Sequence, residues 1–416
     1  MDTANKPAVD LNGVTYRWPE RPVVVVCIDG SDPSYTEAGL RDGILPNIER
    51  FMANGFAAIA DGVVPSFTNP NNLSIVTGSP PSVHGISGNF FLDPESGEEV
   101  MMNDPKFLRS ETLFALFARA GAKVVVITAK DKLRLQLGHN LAGGICFSSE
   151  HAGLCTAAAN GIEDVLELVG MAQPEVYSAE LSLFVMEAGI RLLERDRPDI
   201  IYLSLTDYIQ HKFAPGTPTA NDFYRRLDDS FGRLEALGAV VGLVADHGMN
   251  DKARPDDAPN VIYLQDLLDG EFGAGTMRVI LPITDPYVLH HGALGGYARI
   301  YCTGARPQAV MKFITTIEGV EQVLDKDGAC RAFELPPDRE GDVAVISDAG
   351  TVLGGAAASH DLSGLKGHRL RSHGGVAERR VPFILSSPLN QAYAARAVRG
   401  GLRSYEIFDY AINGTA

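Results

Sequence analysis

Asp29, Asp207 and Asp246 each stand just past the end of a short apolar run: Val23 to Ile28, Ile200 to Leu205 and Val240 to Ala245. His247 follows Asp246 directly, and His211 lies four residues after Asp207. On a helix beginning at Asp207, side chains at i and i+4 share one face, so this pair is spaced for chelation. Carboxylates gathered in one place repel unless a cation neutralises them. Mixed carboxylate and imidazole donors suit zinc or a similar borderline divalent metal. His373, in Ser372-His373-Gly374-Gly375 ahead of the last apolar run, is a further candidate; its sequence context favours ligation and an ordinary role equally. His139, His151, His290, His291, His360 and His368 lack such neighbours and read as surface or core residues.

Thr68 is a candidate nucleophile. It sits in Pro65-Ser66-Phe67-Thr68-Asn69-Pro70-Asn71-Asn72, ahead of an apolar stretch that ends at Gly78. Pro70 fits the first turn of a helix. Free N–H groups and the helix dipole would then favour an anion beside Thr68. Taken alone, a capping role for Thr68, Ser66 or Asn69 is the more economical reading. Lys130 and Lys132 follow the run Lys123 to Thr128 and, by themselves, read as a solvated turn.

These residues need a scaffold that brings separated run ends together. The runs at Val23 to Ile28, Lys123 to Thr128, Ile200 to Leu205, Val240 to Ala245 and Val381 to Leu385 are short and rich in β-branched residues. Such continuous apolar runs read as strands buried on both faces, as in parallel sheets covered by helices. Helical spacing lies between them: a helix capped by Ser110 that stops at Gly121, another over Tyr177 to Arg195, and a third over Thr219 to Leu237. The fold expected is α/β, a doubly wound, mainly parallel sheet with helices on both faces. Ligands of such sheets bind beyond the carboxyl ends of the strands, where the aspartates stand. From about Lys252 to Gly367 the rhythm breaks. That stretch holds strand signals at Arg278 to Ile283, Tyr297 to Cys302 and Val343 to Ile346, and a helix signal near Pro307 to Ile317. It reads as a smaller α+β cap, residues 252–367, inserted into a core of 1–251 and 368–416. Its polar residues His290, His291 and Arg299 are ones a cap could lend to the site.

Composition sets outer limits. The chain has 416 residues, 45% apolar and 21% charged, an ordinary globular profile that excludes disordered and fibrous classes. No apolar run approaches the roughly 20 residues that span a bilayer. Met1 to Trp18 is polar, which argues against a signal peptide. The five cysteines are scattered and form no CxxC pair, so a reduced, cytoplasmic protein is expected. Net charge is −16, unsuited to nucleic acid or anionic lipid partners. An anionic substrate remains compatible, because the charge that matters is local and a bound divalent metal with the lysines would offset the three aspartates.

Asp29, Thr68, Asp207-x-x-x-His211, Asp246-His247 and His373 occur in the order of the two-metal sites of the alkaline phosphatase superfamily. The chain resembles its nucleotide pyrophosphatase/phosphodiesterase branch. Ser74-Ile75-Val76-Thr77-Gly78 and His84-Gly85-Ile86-Ser87-Gly88-Asn89 are similar to the stretch after that branch's nucleophile. Within the branch, four segments look most like the phosphonoacetate-hydrolysing members. They are Asn12 to Tyr16, Ser66 to Asn71, His84 to Phe91, and Thr128-Ala129-Lys130-Asp131-Lys132.

The resemblance implies two Zn²⁺ per chain, one held by Asp207, His211 and His373, the other by Asp29, Asp246, His247 and the Thr68 oxygen. It implies that Thr68 is the nucleophile, that Asn89 and the Thr68 N–H bind a phosphoryl oxygen, and that Lys130 and Lys132 bind substrate. The expected reaction is cleavage of the C–P bond of phosphonoacetate to acetate and phosphate through a phosphothreonine. The partner is a small phosphonate, with no nucleic acid and no membrane, and a homodimer is compatible. A phosphodiesterase or phosphatase on the same scaffold is the alternative. A non-catalytic metal-binding protein is the alternative of another class.

Overall fold

The structure, a computed structural model, describes residues 6–283, 294–365 and 367–415. His290 and His291, and the first five residues of the polar N-terminal stretch, lie outside the described residues. Strands β1 (Val23–Cys27), β2 (Phe56–Asp61), β3 (Val124–Thr128), β4 (Ile145–Ser148), β5 (Ile200–Ser204) and β6 (Val240–Val244) lie in a seven-stranded sheet. Strands β7 (Met277–Ile280), β8 (Tyr297–Cys302), β9 (Val320–Asp325) and β10 (Val343–Ser347) form a second, four-stranded sheet, and β11 (Arg380–Leu385) returns to the first.

The first sheet has the order β2-β11-β6-β1-β5-β3-β4. Strands β6, β1, β5, β3 and β4 are parallel, whereas β11 is antiparallel to both β6 and β2. All five expected runs become strands, and the sheet is mainly parallel as expected. The direction of β11 was not foreseen, because a buried apolar run looks the same read either way. Strands β2 and β4 were missed, and they are the two edges of the sheet. Edge strands need not be apolar on both faces: β2 is Ala-rich and mostly half-buried.

Helices α1 (Thr68–Thr77), α2 (Leu113–Arg119), α3 (Asp131–Leu137), α4 (Glu180–Asp196), α5 (Tyr208–Lys212) and α6 (Pro218–Ala236) surround this sheet, and α7 (Pro307–Ile314) accompanies the second. The period-2 alternation of a strand divides the core. Val24, Val26, Ile201, Leu203 and Val241 face Phe184 and Leu193 of α4 and Phe223, Leu227 and Phe231 of α6. Val23, Val25, Cys27, Val124 and Tyr202 face Leu73 and Val76 of α1 and Phe114 and Phe117 of α2. Both faces are covered, which is why the strands are buried at every position and mostly apolar. Helix α2 is capped by Thr112 rather than by Ser110: the Thr112 side chain accepts from the Ala115 N–H at 3.1 Å. Ser110 instead donates to the Glu111 carbonyl.

The second sheet has the order β7-β8-β10-β9 and is antiparallel throughout. Ala298, Ile300, Val343 and Val345 on one face pack against Val310 and Ile314 of α7. Tyr297, Ala344 and Ile346 on the other face pack against Val64 and Phe67, directly ahead of Thr68. Strand β9 was not expected; its half-buried, charge-bearing sequence lacks the signal of a doubly covered strand. Among the described residues no helix is long and apolar enough to cross a membrane.

Candidate active site

The parallel strands deliver their carboxyl ends to one edge of the first sheet. Asp29 follows β1, Lys130 follows β3, Asp207 follows β5, and Asp246-His247 follow β6. Strand β2 points the same way, since it is separated from β6 by the antiparallel β11, and it feeds the turn that opens α1 with Thr68. Strand β11 enters from that same edge, so His373 ahead of it arrives there too. Two buried groups result: Asp207 with His211 and His373, and Asp29 with Asp246 and His247. Within each group one donor atom from every residue lies within 4.8 Å of the others.

His211 Nε2 is 2.8 Å from Asp207 Oδ2, and His373 Nε2 is 3.8 Å from the same oxygen. His247 Nε2 is 3.2 Å from Asp29 Oδ1 and 3.7 Å from Asp246 Oδ2. Each imidazole is oriented from behind. His211 Nδ1 lies 2.9 Å from the Arg371 carbonyl, His247 Nδ1 2.9 Å from that of Gly248, and His373 Nδ1 2.8 Å from that of Ser66. A carbonyl can only accept, so Nδ1 carries the proton and Nε2 faces the acids. This arrangement is typical of metal-ligating histidines.

The electrostatics are those of a site short of positive charge. Burial, with Asp207 and Asp246 nearby, pushes the Asp29 carboxyl well above the usual range. Burial also acts to raise Asp207, but His211, Lys130 and His373 outweigh it and hold that carboxyl well below the usual range. Burial alone would lower His247, yet Asp246 and Asp29 raise it to about 10. Burial, His247 and His211 push His373 well below its ordinary value. Asp29 Oδ1 and Asp207 Oδ1 are buried and accept no hydrogen bond among the described residues. Open carboxylate lone pairs beside correctly turned imidazoles fit divalent cations, and the mixed N/O donor set fits the borderline ones.

Thr68 is the first residue of α1, and the cap position belongs to Phe67 without a side-chain cap. The capping role that the isolated sequence favoured is therefore not the one Thr68 plays. Its Oγ1 lies 3.3 Å from His247 Nε2. Ser66, another of the capping candidates, donates to the Gly375 carbonyl at 2.8 Å. Asp29, Thr68, Asn89, Lys130, Lys132, Asp207 and His373 share the lining of one cleft. Lys130 Nζ is 3.6 Å from Asp207 Oδ1. The solvated-turn reading of the two lysines thus gives way to a place in the cleft wall.

Several residues escaped sequence reasoning. Asn72 donates to Asp246 Oδ2 at 3.2 Å while its Oδ1 accepts from the Tyr202 hydroxyl at 2.7 Å and from Ser204 Oγ at 3.1 Å. Glu378 accepts from Lys252 Nζ at 2.8 Å, from Asn250 Nδ2 at 2.7 Å and from the Gly375 N–H at 2.9 Å, and its carbonyl accepts from the Gly248 N–H. One buried glutamate so ties the loop after His247 to the loop after His373. Arg299 does not line the cleft; its side chain is buried behind the Asn89 loop.

The model of the type I phosphodiesterase / nucleotide pyrophosphatase family matches residues 23–374. The chain belongs to this family. Among curated phosphodiesterase relatives, an uncharacterised pyrophosphatase/phosphodiesterase of Schizosaccharomyces pombe is 26% identical over 246 residues, covering 59% of this chain and 44% of that one. Alkaline phosphatase PafA of Elizabethkingia meningoseptica is 24% identical, covering 44% of this chain and 51% of that one. The chain spans about half the length of these curated relatives. Phosphonoacetate hydrolase of Sinorhizobium meliloti 1021 has been solved in complex with phosphonoacetate and with phosphonoformate. It is 49% identical, with a TM-score of 0.93, covering 99% of this chain and 100% of that one. Murine ectonucleotide pyrophosphatase / phosphodiesterase 5 shares the fold, at a TM-score of 0.63 and 17% identity over 95% of this chain and 96% of that one.

Proposed function

We propose that this phosphodiesterase-family chain hydrolyses phosphonoacetate to acetate and phosphate. The observation that carries the reading is the pair Lys130 and Lys132 in the same cleft as Thr68 and the acid–histidine groups. A phosphate diester has no carboxylate for such a pair to hold; phosphonoacetate does. The full-length likeness to an enzyme solved with phosphonoacetate supports the same substrate.

Two Zn²⁺, one held by Asp207, His211 and His373 and the other by Asp29, Asp246, His247 and Thr68 Oγ1, would acidify the Thr68 hydroxyl and offset phosphoryl charge. The chain's own residues do the rest. Thr68 Oγ1 gives up its proton to solvent water and attacks phosphorus in line, forming the O–P bond of a phosphothreonine as the C–P bond breaks. Asn89 and the Thr68 N–H donate to a phosphoryl oxygen as charge builds on it. The electron pair of the broken bond passes onto the methylene of acetate and delocalises into its carboxylate as an enolate, which Lys130 and Lys132 stabilise before it takes up a proton. Water then cleaves the phosphothreonine, restoring Thr68 and releasing phosphate.

Residues 252–367 act as a cap over the core of 1–251 and 368–416, and the separate hydrophobic clusters of the two sheets support this division. Five free thiols suit a reducing, cytoplasmic setting. A phosphodiesterase or phosphatase is the second reading, since the two acid–histidine groups do not specify the leaving group. Phosphate release from phosphonoacetate and from bis-p-nitrophenyl phosphate, measured side by side, decides between them. A clear preference for the diester would overturn the proposal, and activity on neither would point to a non-catalytic metal protein.

A further inference from the structure

We infer that Arg299, on the second sheet and outside the cleft, is a positioning residue that sets Asn89 by gripping the backbone on both sides of it. This rests on the reading of Asn89 as a phosphoryl donor. The Arg299 side chain is fully buried in β8. Its Nη2 donates to the Ser87 carbonyl at 2.8 Å and to Ser87 Oγ at 3.0 Å, and its Nη1 donates to the Phe90 carbonyl at 2.7 Å. Its Nε donates to Glu340 Oε2 at 3.0 Å. One planar guanidinium therefore spans the two carbonyls that bracket Gly88-Asn89. A lysine ammonium could not, because it is a point charge without the fork geometry.

The loop is built for this grip. A Cβ at Gly88 would stand 2.7 Å from Pro282 Cβ and 3.2 Å from Arg299 Nη1, so only glycine allows so close an approach. The Asn89 N–H donates to the Pro282 carbonyl at 2.7 Å, and the Asn89 carbonyl accepts from the Met102 N–H at 2.8 Å. Arg339 holds the start of the loop, its Nη1 donating to the Gly85 carbonyl at 2.6 Å and to that of Phe107 at 2.7 Å. A buried ion pair is weak support for stability, since apolar residues of similar size often serve the core as well. What Arg299 supplies beyond packing is fixed curvature in a segment with glycines at 85 and 88. Misplacing a catalytic donor by about 1 Å costs up to roughly 100-fold in rate.

The test is a double-mutant cycle on the metal-loaded full chain, reading kcat and KM for phosphonoacetate, metal content and thermal midpoint. Arg299→Lys should lower kcat by about 10- to 100-fold with KM and metal content little changed. In an Asn89→Ala background the same substitution should change kcat less than about 2-fold, because the group it positions is gone. Gly88→Ala, which presses on the loop and on Arg299 Nη1 while keeping both charges of the Arg299–Glu340 pair, should couple to Asn89→Ala in the same way and covers the case in which Arg299→Lys does not fold. Losses that multiply in the double variants, or an unimpaired kcat in a folded Arg299→Lys or Gly88→Ala protein, would overturn the positioning role while Asn89→Ala remains impaired. A near-normal Asn89→Ala would instead overturn the Asn89 role and the positioning with it.

Discussion

The rings of His247 and His373 lie face to face, with centroids 3.6 Å apart and planes within 5° of parallel. They arrive from opposite directions, one after β6 and one ahead of β11, and each belongs to a different acid–histidine group. Phe67 closes edge-on against His373 at 5.6 Å. The two groups thus share a wall, so damage to one should reach the other.

His373→Ala should therefore do more than remove one donor. We expect metal analysis of the purified variant to show at least one metal fewer per chain than wild type, with phosphonoacetate turnover down by more than about 100-fold, in line with the loss of a ligand. Unchanged metal content would exclude His373 from the donor set.

Thr68→Ala should abolish turnover while leaving metal content close to wild type, since the carboxylates and imidazoles remain. Thr68→Ser keeps a hydroxyl at the opening of α1 and should retain measurable activity. A phosphorylated form trapped by rapid acid quench and located by mass spectrometry should carry its phosphate on residue 68. Thr68→Ala turnover within about 10-fold of wild type would refute a nucleophile whose loss normally costs far more.

The two lysines should separate by substrate. Lys132→Ala should damage phosphonoacetate hydrolysis well beyond aryl phosphate hydrolysis, because only the former offers a carboxylate. Lys130 also faces Asp207 at 3.6 Å, so Lys130→Ala should impair both substrates, phosphonoacetate the more. Equal losses on both substrates for Lys132→Ala would argue against carboxylate recognition.

His84 predicts a pH-dependent stability that lies apart from the donor groups. The ring is buried; its Nδ1 accepts from the Ile86 N–H and its Nε2 donates to Ser74 Oγ. Burial and the neighbouring Arg339 push its pKa down to about 3. An unfolded histidine titrates near 6.5. Between those values the unfolded chain binds the extra proton, so this contribution is complete above pH 6.5 and declines as pH falls towards 3, by at most about 1.4 kcal/mol per pH unit. Urea midpoints measured from pH 7 down to pH 5 should fall less steeply for His84→Gln than for wild type, although the variant is less stable at pH 7. Identical slopes would show that His84 is not held neutral by the fold.

Glu378→Gln should loosen two loops at once. Its carboxylate joins Lys252 and Asn250 to the Gly375 N–H, and the amide would leave the buried Lys252 charge unmatched. We expect a fall in thermal midpoint together with weaker metal retention against a chelator. A destabilised protein that keeps its metals as tightly as wild type would limit Glu378 to a stabilising role.

What could be read from the chain alone was whatever leaves a local pattern. Strands β1, β3, β5 and β6 are buried at every position and mostly apolar because helices cover both faces, and the aspartates break those runs where the strands emerge. The i, i+4 spacing of Asp207 and His211 is local as well, and Gly78 does end α1 in the left-handed region at φ +59°. Strand β2 left no such trace, since an edge need not be apolar on both faces, and β4 is a four-residue run too short to stand out. Tertiary structure alone decided that β11 runs backwards, that His247 stacks on His373, and that Thr68 faces an imidazole instead of capping its helix. It alone placed Arg299 behind the Asn89 loop rather than in the cleft, and it alone disclosed Glu378. Arg299 meets the carbonyls of Ser87 and Phe90, and Glu378 meets Lys252 and Asn250, all far away in the sequence; every residue carries a carbonyl, so no residue pattern marks which ones a buried side chain will meet.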